Sequence, residues 1–188
     1  SIDFEMAESA FTLDEFGAPT DVWARERGEA EKLIEDFMLI ANETVARFAR
    51  SAEIPFLYRV HADPDSDRIK ELEIFLNAVN VRTHIGRRPH PGKFQKILEE
   101  TKHMSEAGVI RQIMLRSLKR AAYSDQPDGH FGLAAEDYCH FTSPIRRYPD
   151  LEIHRMLKLL ISGRHEGYEK HMAELARQCS EREYAATL

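Results

Sequence analysis

Between His140 and Arg155 the chain places Ser143-Pro144 directly before Arg146, Arg147 and Tyr148, with a second proline at Pro149. Serine is a good N-cap and proline suits a first helical turn, so a helix is predicted from Pro144. Its unpaired N–H groups and positive dipole end would lie beside two arginines, an arrangement suited to a phosphate. Arginine grips phosphate oxygens through two parallel hydrogen bonds, a geometry lysine lacks. Pro149 is expected either to kink this helix or to restart it, fixing the direction of the arginines. An ordinary amphipathic helix with solvated arginines would use the same residues, and the pattern alone leaves both readings open.

A second candidate lies in the helix predicted over Arg27–Arg50. At 100° per residue, Glu35 shares a face with Leu39, Asn42 and Ala46, whereas Asp36 shares one with Lys32, Glu43 and Arg47. Periodicity therefore makes Glu35 the sheltered carboxylate. Such a group must be paired, protonated or functional. The nine histidines suggest a metal, but His130, His140 and His154 are not spaced as ligands on one helix and no Cys-X-X-Cys pair accompanies them. His130 and His140 are expected instead to hydrogen-bond the loop that presents Ser143.

His140–Arg155, with His130-Phe131-Gly132-Leu133-Ala134 upstream, resembles the ribonuclease II/ribonuclease R family of 3′→5′ exoribonucleases, and within it the bacterial ribonuclease R branch. The likeness runs from Ile2-Asp3-Phe4-Glu5 through Leu33–Met38, Ala41-Asn42 and Tyr58–His61 to the last residues, covering essentially the whole chain. Ala62 is a departure, since family members often carry an acidic residue there.

The resemblance implies that residues 1–188 are the second, helix-rich α+β part of an RNB catalytic domain. The aspartate-bearing first part and the OB-type RNA-binding domains would belong to the remaining part of the same polypeptide. It also implies a processive, magnesium-dependent enzyme that hydrolyses RNA to nucleoside 5′-monophosphates. The magnesium (Mg) would be held by aspartates outside this chain, so these residues alone are expected to be inactive. Asp63–Asp67 does not match that cluster and is expected to open a helix.

By the same resemblance, Arg146 is the catalytic arginine at the scissile phosphate, and Glu35 contacts the 3′-terminal nucleotide. Phe4 would stack on terminal bases. Ser143, Arg147, Tyr148 and His140 are further candidates for RNA contact, although surface duty is the stronger reading of Arg147 and core packing suits Tyr148 as well as RNA contact does. Tyr123 matches another family position, with core packing as its default. The expected partner is a single-stranded RNA 3′ end, met by a cytoplasmic monomer. A non-catalytic RNA-binding relative is the alternative, and an unrelated helical interaction domain is a third reading.

The elements that must position these residues follow from periodicity. Strands are predicted at Ile2–Glu5 and Asp21–Arg25, joined by a turn around Gly17, and at Pro55–His61. The helix over Arg27–Arg50 is expected to bury Ala30, Ile34, Phe37, Met38, Ala41, Val45 and Phe48. Further helices are predicted at Ser66–Val79, Phe94–Lys102, Glu106–Tyr123, Pro144 to Gly163, and Tyr168 to the end. Phe131–Thr142 reads as extended or irregular.

Composition bounds the class. The chain has 188 residues, 43% hydrophobic and 31% charged, with two cysteines in no metal-binding spacing. That suits one soluble, reduced domain or a large part of one. No apolar run approaches membrane-spanning length. The net charge of −6 hides an asymmetry. Residues 1–80 carry 8 Lys/Arg against 18 Asp/Glu, or −10, while residues 81–120 carry 10 against 3, or +7; the rest sums to −3. The basic stretch reads either as solvated helix faces or as a rim that guides an RNA backbone.

Overall fold

The computed structural model describes residues 2–4, 8–25, 28–86, 88–164 and 171–187. Its elements are β1 (Glu8–Leu13), β2 (Pro19–Arg25), α1 (Glu29–Ser51), β3 (Tyr58–Val60) and α2 (Ser66–Ala78). There follow α3 (Pro91–Thr101), α4 (Ala107–Ser117), β4 (Ala122–Ser124), a 3₁₀ turn at Phe131–Leu133, α5 (Tyr148–Ile161) and α6 (Met172–Ala186). This is the helix-rich α+β class expected from the sequence.

β1 and β2 form an antiparallel hairpin with Phe11 opposite Val22. Its turn is closed by the Asp14 carboxylate, which accepts the N–H groups of Phe16 and Ala18. Gly17 has φ +81° there, a conformation that favours glycine. The strand predicted at Ile2–Glu5 is not formed. Ile2–Phe4 is irregular, with the Ile2 N–H on the Gly132 carbonyl at 2.7 Å, and Glu5 lies outside the described residues. β1 is closer in sequence to β2 and needs only a short turn, which is why it takes the pairing.

α1 begins at Glu29, after Gly28 donates its N–H to the Glu31 carboxylate at 2.8 Å. Its buried face is Asn42, Ala46 and Ala49, not the expected apolar stripe. Ile34, Phe37 and Phe48 are each more than half exposed, and nothing among the described residues covers them. The small alanines let the core approach closely, whereas the large side chains on the other face have no neighbour to bury them. Of the expected stripe, Val45 does pack against the first core and Ala41 is half-buried, but the inward direction is turned toward the face carrying Glu35.

The helix predicted over Glu106–Tyr123 ends at Ser117, whose hydroxyl turns back to the Met114 carbonyl at 2.7 Å. Residues 122–124 pair instead as β4 with β3, Tyr58 opposite Ser124. Tyr123 also gives its N–H to Ser180 Oγ on α6 at 2.9 Å. Strand pairing and that tether override local helical preference. Asp63–Asp67 does open a helix, with Asp65 as the N-cap residue of α2. The last helix starts at Met172; Tyr168, its expected start, lies outside the described residues. Gly163 follows α5 with φ +71°, as a helix-ending glycine should.

Two cores result. One joins α1, β3, β4, α5 and α6 around Phe56, Leu57, Tyr123, Cys139, Ile153 and Met172. The other joins α2, α3 and α4 around Leu72, Leu76, Phe94, Ile110 and Phe131, with Ile2 and Phe4 packed against it.

Candidate functional site

The backbone from Tyr138 to Arg147 forms a strap held by α1 and α5. From α1, buried Asn42 donates Nδ2 to the Tyr138 hydroxyl at 3.0 Å and accepts the Phe141 N–H on Oδ1 at 2.9 Å. From α5, His154 stacks on the Phe141 ring with centroids 4.2 Å apart. Its Nε2 meets the Phe141 carbonyl at 2.9 Å, and because a carbonyl only accepts, that nitrogen carries the proton.

The predicted helix start at Ser143-Pro144 is corrected by the structure. Residues 144–146 form a turn, in which the Ser143 carbonyl accepts the Arg146 and Arg147 amides at 3.3 and 3.0 Å. α5 begins at Tyr148, with Arg147 as N-cap residue and Pro149 in the first turn. Pro149 has no N–H to offer the carbonyl four residues back and its ring would collide there, so a helix continuous from Pro144 is broken. The second proline restarts the helix.

This turn divides the two arginines. Arg147 NH2 donates to Asp150 Oδ1 at 2.8 Å, and the same oxygen accepts the Ser143 N–H at 2.7 Å. The Asp150 side chain is 0% exposed and that of Arg147 21%, so surface duty for Arg147 is excluded. Arg146 is exposed and makes no ion pair or side-chain hydrogen bond among the described residues.

Glu35, Asn42, Ser143, Arg146 and Arg147 line one cleft of about 270 Å³ between α1 and the arginine turn. Glu35 is half-buried there, while Asp36 is exposed and lines a separate hollow with Ile40 and Glu43. The other sequence-predicted residues lie outside this cleft. Tyr148 is exposed and, together with Arg146 and Arg147, lines a larger cavity of about 850 Å³ between α5 and α6. His140 lines neither cavity; its Nδ1 shares a 2.9 Å hydrogen bond with the Tyr123 hydroxyl, not with the loop of Ser143. Phe4 packs half-buried against the second core.

The RNB domain family matches residues 1–163. The chain belongs to the RNB family. It is 45% identical to ribonuclease R of Thermotoga maritima over 192 residues, covering 98% of this chain and 27% of that protein. Ribonuclease R of Aquifex aeolicus is 45% identical over 178 residues, covering 93% of this chain and 25% of that protein. RNase R of Mycoplasma genitalium, solved in complex with ribose methylated single-stranded RNA, superposes with TM-score 0.87 at 28% identity. That match covers 98% of this chain and 30% of the other. The chain thus spans about a quarter of the length of the curated relatives it matches.

Within this RNB chain, buried titratable side chains lie beside the first part of the strap. Burial, then the charge of Arg147, drives the pKa of His140 down to about 3; burial, then His61, takes His130 down to about 4. Both rings are neutral at pH 7. Burial pushes Tyr123 up to about 12, so its phenol stays protonated. Among the described residues, no group of three or more His, Cys, Asp or Glu side chains is placed to hold a metal ion.

Two residues that build the cleft escaped sequence reasoning. Asn42 was visible as a polar residue on the inward face, between Leu39 and Ala46, yet only the strap shows what it binds. Asp150 looks like an ordinary first-turn acid, which favours a helix N-terminus anyway. Nothing in the sequence distinguishes it as fully buried.

Proposed function

We propose that this chain holds the substrate end in a 3′→5′ exoribonuclease that hydrolyses RNA to nucleoside 5′-monophosphates. The observation that carries the reading is the meeting of Glu35 and Arg146 in one cleft. Arg146 presents an unpaired guanidinium on a turn made rigid by Asp150, and an arginine so held can take two phosphate oxygens at once. Negative charge grows on those oxygens as water attacks phosphorus, so a preorganised cation favours the transition state over the bound substrate. Glu35, a short way along the cleft wall, offers a carboxylate to a ribose hydroxyl of the last nucleotide. RNA as the partner is supported by the RNA-bound relative of the same fold and family.

The family resemblance also implies magnesium. The donor sets described here do not fit such an ion, so aspartates elsewhere in a longer polypeptide would have to hold it. We place the enzyme in the cytoplasm as a monomer acting on single-stranded 3′ ends. A reducing compartment suits the free cysteines Cys139 and Cys179, and no helix among the described residues is long and apolar enough to cross a membrane.

The test is product analysis. The full-length protein is incubated with RNA labelled at its 5′ end or at its last nucleotide, with magnesium present. Early release of the last nucleotide as a 5′-monophosphate, with progressive shortening of the 5′-labelled strand, is expected. Tight RNA binding without release would overturn the enzymatic reading in favour of a binding relative.

A further inference from the structure

We infer that Asn42 is a positioning residue, whose carboxamide fixes the Glu35 helix against the arginine turn and so sets the distance between the terminal ribose and the scissile phosphate. The inference rests on the function proposed above and identifies what holds its two halves in register.

Glu35 and Asn42 are seven residues apart on one face of α1, about 10 Å along the axis at 1.5 Å per residue. Asn42 is 3% exposed. It makes three bonds to the strap: Nδ2 to the Tyr138 hydroxyl, Oδ1 from the Phe141 N–H, and its backbone carbonyl from Cys139 Sγ at 3.2 Å. The strap then continues directly into Ser143, which Asp150 anchors, and the turn that carries Arg146. Asn42 also lines the Glu35 cleft. One side chain thus joins the element bearing Glu35 to the segment that leads to Arg146.

An apolar replacement would take the partner from the part-buried Phe141 N–H and from the buried Tyr138 hydroxyl, and the strap would have to shift to find others. A displacement of about 1 Å in such a site costs on the order of 100-fold in rate.

The experiment uses the full-length protein with Asn42→Leu, Tyr138→Phe and Asn42→Asp. Rates are compared on RNA ending in ribose and on RNA whose last sugar is deoxyribose. Asn42→Leu is expected to lower kcat by roughly 100-fold with KM nearly unchanged, and to bring the ribose-to-deoxyribose rate ratio close to one. Tyr138→Phe removes one of the two side-chain bonds and should fall between. Asn42→Asp should recover much of the ratio, because its oxygens can accept both the Phe141 N–H and a reoriented Tyr138 hydroxyl.

A folding defect alone would reduce the active fraction and leave the ratio at its original value; that result would overturn the inference. Amide hydrogen exchange supplies a readout independent of turnover. In Asn42→Leu, the Ser143 N–H, which bonds Asp150 and not Asn42, should exchange at least tenfold faster. Unchanged exchange at Ser143 would show that Asn42 does not govern the turn, and would overturn the inference whatever the rates. Faster exchange in a protein whose unsubstituted form attacks neither RNA would instead sink the function reading alone.

Discussion

The fully buried carboxylate of Asp150 holds the Arg147 guanidinium at 2.8 Å and leaves the neighbouring Arg146 exposed and unpaired among the described residues. Adjacent arginines have therefore been given different work. One is bound into the fold, and the other is available to a ligand.

Stability should separate them. Arg147→Ala strands a buried carboxylate and should cost about 3–5 kcal/mol in urea unfolding. Arg146→Ala, at an exposed position, should change stability by less than about 0.5 kcal/mol. Equal losses would show that Arg146 is also built into the fold.

Turnover should divide them the other way. In the full-length protein, Arg146→Ala is expected to reduce kcat by roughly 1,000-fold or more, with only a modest loss of RNA affinity. Arg146→Lys should recover little, because lysine cannot supply the two-pronged contact. Steady-state rates and RNA-binding isotherms decide the matter; near-normal rates in both variants would contradict the assignment.

Acid should weaken the fold through its buried histidines. An unfolded histidine titrates near pH 6.5, about where solvent leaves it, whereas the fold keeps His140 at about 3 and His130 at about 4. Between those values the unfolded chain binds protons that the folded one refuses, so stability is full above pH 6.5 and falls as the pH drops toward 4. Urea midpoints at pH 7.5 and 5.0 should show the decline, and His140→Gln should make it shallower. An identical slope in that variant would mean that His140 is not the group responsible.

Which residues share the cleft was more legible in the sequence than how the helices pack. Ser143, Arg146 and Arg147 lie in one short motif, and the phase of Glu35 follows from helical spacing, so their meeting in a cleft was foreseeable. The apolar stripe of Ile34, Phe37 and Phe48 was equally regular yet faces outward, because periodicity finds a face without saying which neighbour covers it. Phe4, expected in a strand, is irregular and packs half-buried against the second core, beside the Ile2–Gly132 backbone bond that no local pattern encodes. Tyr123 looked helical until β3, distant in sequence, claimed it as a strand partner. Asp150 is hidden for a different reason: its partners Arg147 and Ser143 are close in sequence, but only the turn and the proline restart bring both onto one buried oxygen.

On the function proposed above, Glu35, and not its neighbour, meets the RNA's last ribose in the cleft that Arg146 also lines. Glu35→Gln and Asp36→Asn are to be assayed side by side, in the full-length protein, on RNA and on RNA whose last sugar is deoxyribose. Glu35→Gln should slow removal of the last nucleotides of RNA. The deoxyribose end should produce the same loss in the unsubstituted protein and add little to it in the variant. Asp36→Asn, at an exposed helix position, should leave both rates intact and cost at most a few tenths of a kcal/mol in stability. If Asp36 proves the damaging position, or if Glu35→Gln retains full discrimination between the two ends, the cleft does not hold the substrate as described.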